Sequence, residues 1–516
     1  MHPEIERCRL AEGLTITRVL TGLWQIADME RDGNATNPAA AASAMQAYVD
    51  AGLTTFDMAD HYGSSELLAG HFKAHSVNGD ATQMFTKWVP QPGAITRDDV
   101  RAAVERALNR MQTDRLDLLQ FHTWEYANPV WLDAMFWLQE LKEEGLIGQL
   151  GTTNFDTAHL RIALQSGIEI VTNQVCFSLL DQRPQRKLIE LCLEHDVNLL
   201  CYGTLAGGFL TERWLGQPEP STSETASYSH MKYHRFIEAA GGWDVFQSIL
   251  RALHEVASKL GVSMANVASR YILDQPAVGG VIIGARLGQS EHIRDTLKLF
   301  TFSLDSESRQ ILDTALEAKT PLPGDTGDEY RKPPFLTASG DLSDHLESHP
   351  KAWPTSEDAD GRIRLSTGTT WEHIGGFSRA VRIGDRILVS GTTATHAGRV
   401  VGGGDVMAQA HFVIDKIEGT LRSLGSSLED VVRTRVYVRH LQDWEAIAHI
   451  HGQRFATALP ANTLVQANFV GDEYLVEIEA EAVTQPASSA DTSQSPPKGF
   501  PSTVDQAHHA GRRQTG

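Results

Sequence analysis

The sequence predicts an α/β protein in which a closed (β/α)8 barrel is followed by a smaller α+β unit, and three observations carry this. Short apolar runs alternate with amphipathic helical patterns eight times over roughly the first 320 residues. The Gly-rich turn G-x-G-x-x-G of an open nucleotide-binding sheet is missing after the first run, which favours closure into a barrel. Beyond a stretch rich in Pro, Gly and acids, strand and helix patterns return in a mixed order.

The eight strand candidates end at Trp24, Asp57, Lys87, His122, Asn154, Gln174, Tyr202 and Arg286. Helical patterns fill the gaps, among them PAAAASAMQAYVDAG, RDDVRAAVERALNRMQ and WLDAMFWLQELKEEG. Residues 1–318 form this unit. Residues 319–365 lack periodicity and cannot bury a core, so they read as a linker. In 366–486, RAVRIGDRILVSG reads as a hairpin and DVMAQAHFVIDKIEGTLRSLG as a long helix. VVRTRVYVRHL is a strand, DWEAIAHIHGQRFATAL a helix, and TLVQANFV and YLVEIEAEAV two further strands. Residues 487–516 are a low-complexity polar tail, expected to be disordered.

A chain of 516 residues is long enough for two or three cores. The net charge of -20 argues against binding a nucleic acid over the whole surface, yet leaves room for a local phosphate pocket. No apolar run approaches the ~20 residues that span a bilayer, and the N-terminus lacks a signal pattern, so a cytoplasmic protein without membrane contact is expected. Cys8, Cys176, Cys192 and Cys201 show no paired spacing, which suits buried thiols better than disulfides or a metal site. His449 and His451 lack a third ligand nearby, so no metal is expected there either.

In a (β/α)8 barrel, functional groups gather at the carboxyl ends of the strands. Asp57, Lys87, His122, Asn154 and Gln174 each stand just there, after an apolar run that ought to be buried. Any one of them could be an exposed loop residue, but five in succession point to a site. Tyr62 follows in FDMADHYGSSE. Its phenol, with a pKa near ~10, would be tuned downward by the Lys87 ammonium, itself held charged by Asp57. Tyr62 would then be general acid in reduction and base in oxidation, with His122 hydrogen-bonding the carbonyl oxygen. No side chain supplies a hydride, so a cofactor must.

With FDMADHYG, MFTKW, LDLLQFH, GTTNF, TNQV, CYGTLAGGFL and IIGAR in this order, residues 10–318 resemble the aldo-keto reductase family, whose fold is a TIM barrel. The resemblance implies that Asp57, Tyr62, Lys87 and His122 are the catalytic tetrad acting on a small-molecule carbonyl substrate. It also implies that Asn154 and Gln174 hold the nicotinamide carboxamide and that Tyr202 stacks on the ring. Gly203, Leu205 and Gly207 would cross the pyrophosphate, and Trp24 would lie near nicotinamide and substrate. Gly284 precedes Arg286, which matches the residue that binds the 2′-phosphate and favours NADP(H). Thr296 stands where the family often has an adenine-contacting Asn. In the insertion after the seventh strand, Trp214, Tyr228, Tyr233 and Trp243 could line a substrate pocket or simply pack the insertion onto the barrel.

The second unit, through FSRAVRIGDRILVSG, ALPANTLVQANFV and VEIEAEAV, resembles the Rid family of trimeric imine and enamine deaminases, a chorismate-mutase-like fold. That implies a ligand site at Ser390, Asn462 and Glu479. Asn462 replaces the family's carboxylate-binding arginine and Phe377 its substrate-side tyrosine, so deamination of amino-acid imines is not expected. Glu479 could equally be one of the alternating Glu477, Glu479 and Glu481 on one strand face. The unit would bind another ligand or join three chains. A cofactor-reporting regulatory protein and a bifunctional enzyme are the alternatives to a plain reductase.

Overall fold

The computed structural model describes residues 3–24, 38–221, 227–287, 292–332, 336–337 and 349–484. Eight parallel strands close into a barrel: β1 (Val19–Gly22), β2 (Thr55–Asp57), β3 (Gln83–Trp88), β4 (Leu116–Phe121), β5 (Ile147–Thr153), β6 (Thr172–Cys176), β7 (Asn198–Tyr202) and β8 (Val278–Gly284). Closure is made by pairing Val281 with Val19 and Gly284 with Gly22. All eight runs read from the sequence are strands.

The barrel interior holds Leu20, Phe85, Leu118, Leu200 and Ile282. A hairpin of Arg7–Ala11 and Leu14–Thr17 adds Leu10, Leu14 and Ile16 to this layer. Leu10 packs beside Gly279, near the start of β8, so the hairpin plugs the amino end of the barrel and leaves the carboxyl end open. Helices wrap the outside. In Arg97–Met111, Thr96 and Asp99 form a capping box, and Val100, Ala103, Val104, Ala107 and Met111 make the buried face at helical spacing.

The C-terminal unit is a mixed sheet of β9 (Thr355–Glu357), β10 (Ile363–Leu365), β11 (Ala380–Ile383), β12 (Arg386–Thr393), β13 (Val431–Val438), β14 (Ala461–Gln466) and β15 (Val476–Val483), ordered β9-β10-β11-β12-β15-β13-β14. The helix Val406–Ser423 packs on one face, with Trp444–Arg454 beside it. Along β15, Val476, Ile478, Ala480 and Ala482 are buried, while Glu477, Glu479 and Glu481 take the opposite face.

The same helix Val406–Ser423 also packs against the barrel helix Thr157–Gln165. Gly419 makes the approach possible, since a Cβ there would lie 2.1 Å from the Ala127 carbonyl oxygen. Polar anchors flank it: Arg161 with Asp405 at 2.8 Å and His396 with Asp133 at 2.6 Å.

The stretch 319–365 is not the plain linker that its composition suggests. Its first part lies over the barrel mouth, where Asp328, Glu329 and Arg331 are buried. Its last part supplies β9 and β10, with Leu365 pairing Ala380. Each piece is too short to show periodicity: the first is fixed to barrel carbonyls through Arg331, and in the last β9 pairs with β10, which joins the C-terminal sheet through β11. Among the described residues no helix is long and apolar enough to cross a membrane. The tail 487–516 lies outside the described residues.

Candidate active site

A cavity of about 430 Å³ opens at the carboxyl ends of the strands, within the usual range for a small-ligand site. Asp57, Tyr62, Lys87 and His122 all line it. Asp57 and Lys87 are each 3% exposed, and Lys87 Nζ donates to Asp57 Oδ2 and to the Met58 carbonyl, both at 2.7 Å. The other carboxylate oxygen of Asp57 accepts from Gln174 Nε2 at 2.7 Å and Gln120 Nε2 at 3.2 Å. A buried charge is stable only when paired and hydrogen-bonded in this way.

Lys87 Nζ lies 5.1 Å from the centre of the Tyr62 ring. The expectation that this ammonium lowers the phenol pKa is not met. Burial pushes Tyr62 well above its ordinary range, and Asp57, Tyr330 and Asp60 push the same way. The charge of Lys87 is spent on Asp57, so desolvation wins. A phenol of this kind stays protonated at neutral pH, as a proton donor must.

His122 Nδ1 lies 3.1 Å from the Thr153 carbonyl, which can only accept, so this nitrogen carries the hydrogen. Burial, followed by the Arg331 guanidinium, holds the imidazole well below its ordinary pKa. In that neutral tautomer Nε2 has a lone pair and no proton. It is buried and, among the described residues, without a hydrogen-bond partner. His122 can therefore accept a hydrogen bond from a hydroxyl, and does not donate one to a carbonyl oxygen as its place in the sequence predicts.

Asn154 and Gln174 each commit one end of the amide to the protein. Asn154 Oδ1 accepts from Tyr202 Oη at 2.8 Å, and Gln174 Nε2 also donates to Gln120 Oε1 at 3.2 Å. Among the described residues, this leaves one donor, Asn154 Nδ2, and one acceptor, Gln174 Oε1, on the cavity wall. That pair complements a primary carboxamide.

Trp24 stands edge-on to Tyr62 at 4.9 Å, and its Nε1 donates to Ser229 Oγ at 3.2 Å. Gly203, Leu205 and Gly207 line the next part of the cavity. Gly203 and Gly207 have φ of +74° and +65°, and a Cβ on Gly203 would lie 2.3 Å from Tyr233 Oη. Both glycines are thus required by backbone conformation and by the aromatic ring packed on them. Gly284, Arg286 and His292 line the far end. His230 is near enough to Arg213 and Arg286 that, after burial, both guanidiniums hold its pKa down. The result is a cationic rim suited to a phosphate. Thr296 is buried in the short helix Ile293–Leu297 and is not part of the cavity wall.

The four insertion aromatics divide between the two roles open to them. Tyr228 and Tyr233 line the cavity, whereas Trp214 and Trp243 pack on one another and on Phe209. In the C-terminal unit, the three expected ligand residues are not brought together. Glu479 is bound by Arg435 and Tyr437, both at 2.9 Å. Asn462 Nδ2 donates to Oγ1 of its register partner Thr434 at 2.9 Å, and Thr434 is one position before Arg435, the partner of Glu479, so Asn462 lies on the other sheet face. Ser390 donates to the Ser378 carbonyl. A small cavity beside Glu479 is lined by Arg433, Arg435 and Leu388 but by neither Ser390 nor Asn462.

Residues 18–317, more than half of the chain, match the Aldo/keto reductase family. The chain belongs to that family. Residues 367–484 match the Endoribonuclease L-PSP family, in which the Rid domains fall. An aldo-keto reductase of Bacillus subtilis is 25% identical over 62% of this chain and 96% of its own length. The chloroplastic pyridoxal reductase of Arabidopsis thaliana is 24% identical over 53% of this chain and 75% of its own. The glycerol dehydrogenase structure from Gluconobacter oxydans superposes with a TM-score of 0.53 at 22% identity, covering 62% of this chain and 97% of that one, and shows the shared fold.

Three residues of the reductase site were missed from sequence. Tyr330 lines the cavity from the stretch read as a linker, with its hydroxyl 2.7 Å from Lys232 Nζ and 3.2 Å from Tyr202 Oη. Lys232 comes from the insertion and is balanced by Glu329 at 3.5 Å. Trp124 sits edge-on to His122 at 4.6 Å. Only the insertion had a signal, its cluster of aromatics over the barrel mouth.

Proposed function

We propose that this oxidoreductase is NADP(H)-dependent and reduces a small aldehyde or ketone, or oxidises the matching alcohol, with Tyr62 as general acid and base. The observation that carries the reading is the convergence of the Tyr62 phenol, the Lys87–Asp57 pair and the unpartnered His122 Nε2 on one cavity. When bound, the nicotinamide cofactor would supply the hydride. Asn154 and Gln174 would hold its carboxamide, Tyr202 its ring, Gly203, Leu205 and Gly207 its pyrophosphate, and Arg286 with His230 its 2′-phosphate. Tyr62 gives its proton to the carbonyl oxygen, and His122 Nε2 accepts a hydrogen bond from the hydroxyl so formed. Lys87 then faces the phenolate and stabilises it until a proton returns. The pyridoxal reductase among the relatives suits an aldehyde substrate. The test is a panel of aldehydes and ketones with NADPH: turnover supports the reading, and tight cofactor binding without turnover of any member favours a cofactor-reporting protein instead.

We infer that the C-terminal domain joins copies of the chain rather than deaminating imines. Glu479 is engaged by Arg435 and Tyr437, and the sheet face that carries it also leaves Leu388 and Val465 exposed. Light scattering on the full chain should report a trimer, which Leu388→Glu would dissociate. Hydrolysis of an amino-acid imine by the full chain would overturn this reading.

A further inference from the structure

Arg331 lies beyond the segment that matches the reductase family, in the strap that leaves the barrel. It is 8% exposed. Its guanidinium is satisfied by main-chain carbonyls: Nε and Nη2 donate to Thr123 at 3.0 and 2.7 Å, and Nη1 donates to Asn154 at 2.7 Å and Gly327 at 3.2 Å. Its plane lies over the Tyr126 ring at 4.5 Å. Among the described residues it forms no ion pair with a carboxylate. Burying a cation is costly unless hydrogen bonds compensate it, and here main-chain carbonyls make that compensation.

Two of the three carbonyls belong to site segments. Thr123 directly follows His122, and Asn154 presents the carboxamide donor. Asn154 is also one of few non-glycine residues with positive φ, at 57°, a conformation that needs outside support. Gly327 has φ +80°, and a Cβ there would lie 2.1 Å from the Asn154 carbonyl oxygen and 2.5 Å from Arg331 Nη1. The strap is thus built so that only glycine lets the guanidinium reach Asn154.

We propose that Arg331 is a positioning residue of the reductase site, a clamp that fixes the segments carrying His122 and Asn154 and sets the charge felt by the His122 ring. The clamp rests on the reading of that site as a nicotinamide-dependent reductase. Its charge acts beside the other groups that face His122: His61 from the loop after β2, Lys232 from the insertion helix, and Tyr62, Tyr330 and the Asp57–Lys87 pair around the cavity. Among the neighbouring charges Arg331 is the largest influence keeping the imidazole neutral, after burial itself.

The experiment uses the full chain, with NADPH affinity followed by tryptophan fluorescence and kcat/KM for 4-nitrobenzaldehyde followed from pH 5 to 9. Arg331→Met should weaken NADPH at least tenfold and introduce an acid-side break in kcat/KM that the wild type lacks. Arg331→Lys should restore the wild-type pH profile, because it keeps the charge, while NADPH stays weak, because it lacks the fork. Should Arg331→Met fail to fold, Gly327→Ala displaces the guanidinium and should likewise weaken NADPH. A folded Arg331→Met or Gly327→Ala chain with NADPH affinity within twofold of wild type and an unchanged profile would overturn the proposal. A wild-type chain that binds NADPH yet reduces no carbonyl sinks the reductase reading instead, and the affinity measurement still decides the clamp.

Discussion

His159 Nε2, on a barrel helix, shares a buried hydrogen bond of 2.9 Å with Asp415, on the long helix of the C-terminal domain. The other ring nitrogen is 2.6 Å from Asp156, and the ring stacks on Tyr126 at 3.4 Å. Arg454 completes the cluster at 2.7 Å from Asp415. The two domains are therefore joined through buried charge, and Tyr126 carries the contact on to Arg331.

Removing one partner from such a cluster leaves its neighbours uncompensated. Asp415→Asn is expected to cost about 3–5 kcal/mol. Against the cost of burial, Asp156 and Asp415 raise the pKa of His159. A raised histidine stabilises fully below its unfolded value of ~6.5 and loses that contribution as pH rises through the folded value. The deficit of Asp415→Asn in thermal unfolding should thus be largest near pH 6 and shrink toward pH 9. A deficit that grows with pH would contradict this assignment.

Arg286 is exposed at the cavity rim, where its guanidinium helps hold the pKa of the half-buried His230 down. If Arg286 holds the 2′-phosphate as proposed, replacing it by Gln removes that contact, a loss of about 1.5–3 kcal/mol. NADPH should bind ten- to a hundredfold more weakly, while NADH changes little. Fluorescence titration with both cofactors checks it, and equal losses for the two would place the 2′-phosphate elsewhere.

Lys416 is 4% exposed, and its ammonium donates to the Thr395 carbonyl at 2.7 Å. Burial, with help from Arg379, brings its pKa down to about 7. Between that value and ~10.4 the unfolded chain holds a proton that the folded chain has released, so stability rises with pH across this window. Lys416→Met removes the penalty but leaves Thr395 with a lost bond worth about 1 kcal/mol. The variant should be more stable than wild type by a few kcal/mol near pH 6, with the gain fading by pH 10. Denaturant titrations at the two pH values measure it.

Most of the barrel and its reaction centre were legible because each strand end marks itself. An apolar run that stops at Lys87 or His122 is conspicuous in one dimension, and the barrel rule says where those ends meet. The protonation states were not legible. Whether Lys87 lowers the Tyr62 phenol, or His122 donates or accepts, depends on desolvation and on partners such as Thr153 and Arg331 from distant segments. The strap with Tyr330 and Arg331 was hidden for a related reason. Its composition is that of a linker, and its order comes from barrel carbonyls that no local pattern reveals. The N-terminal hairpin was missed because its two strands are each only four or five residues long.

The central claim is that Tyr62 exchanges the proton in an NADPH-dependent carbonyl reduction. Its most direct test is the full chain with NADPH and a carbonyl that the wild type turns over, compared with Tyr62→Phe. Loss of the phenol should lower kcat by about 10²–10⁴-fold and leave the Kd for NADPH within about twofold of wild type, since the ring and its packing on Trp24 remain. A Tyr62→Phe chain with undiminished kcat would contradict the account.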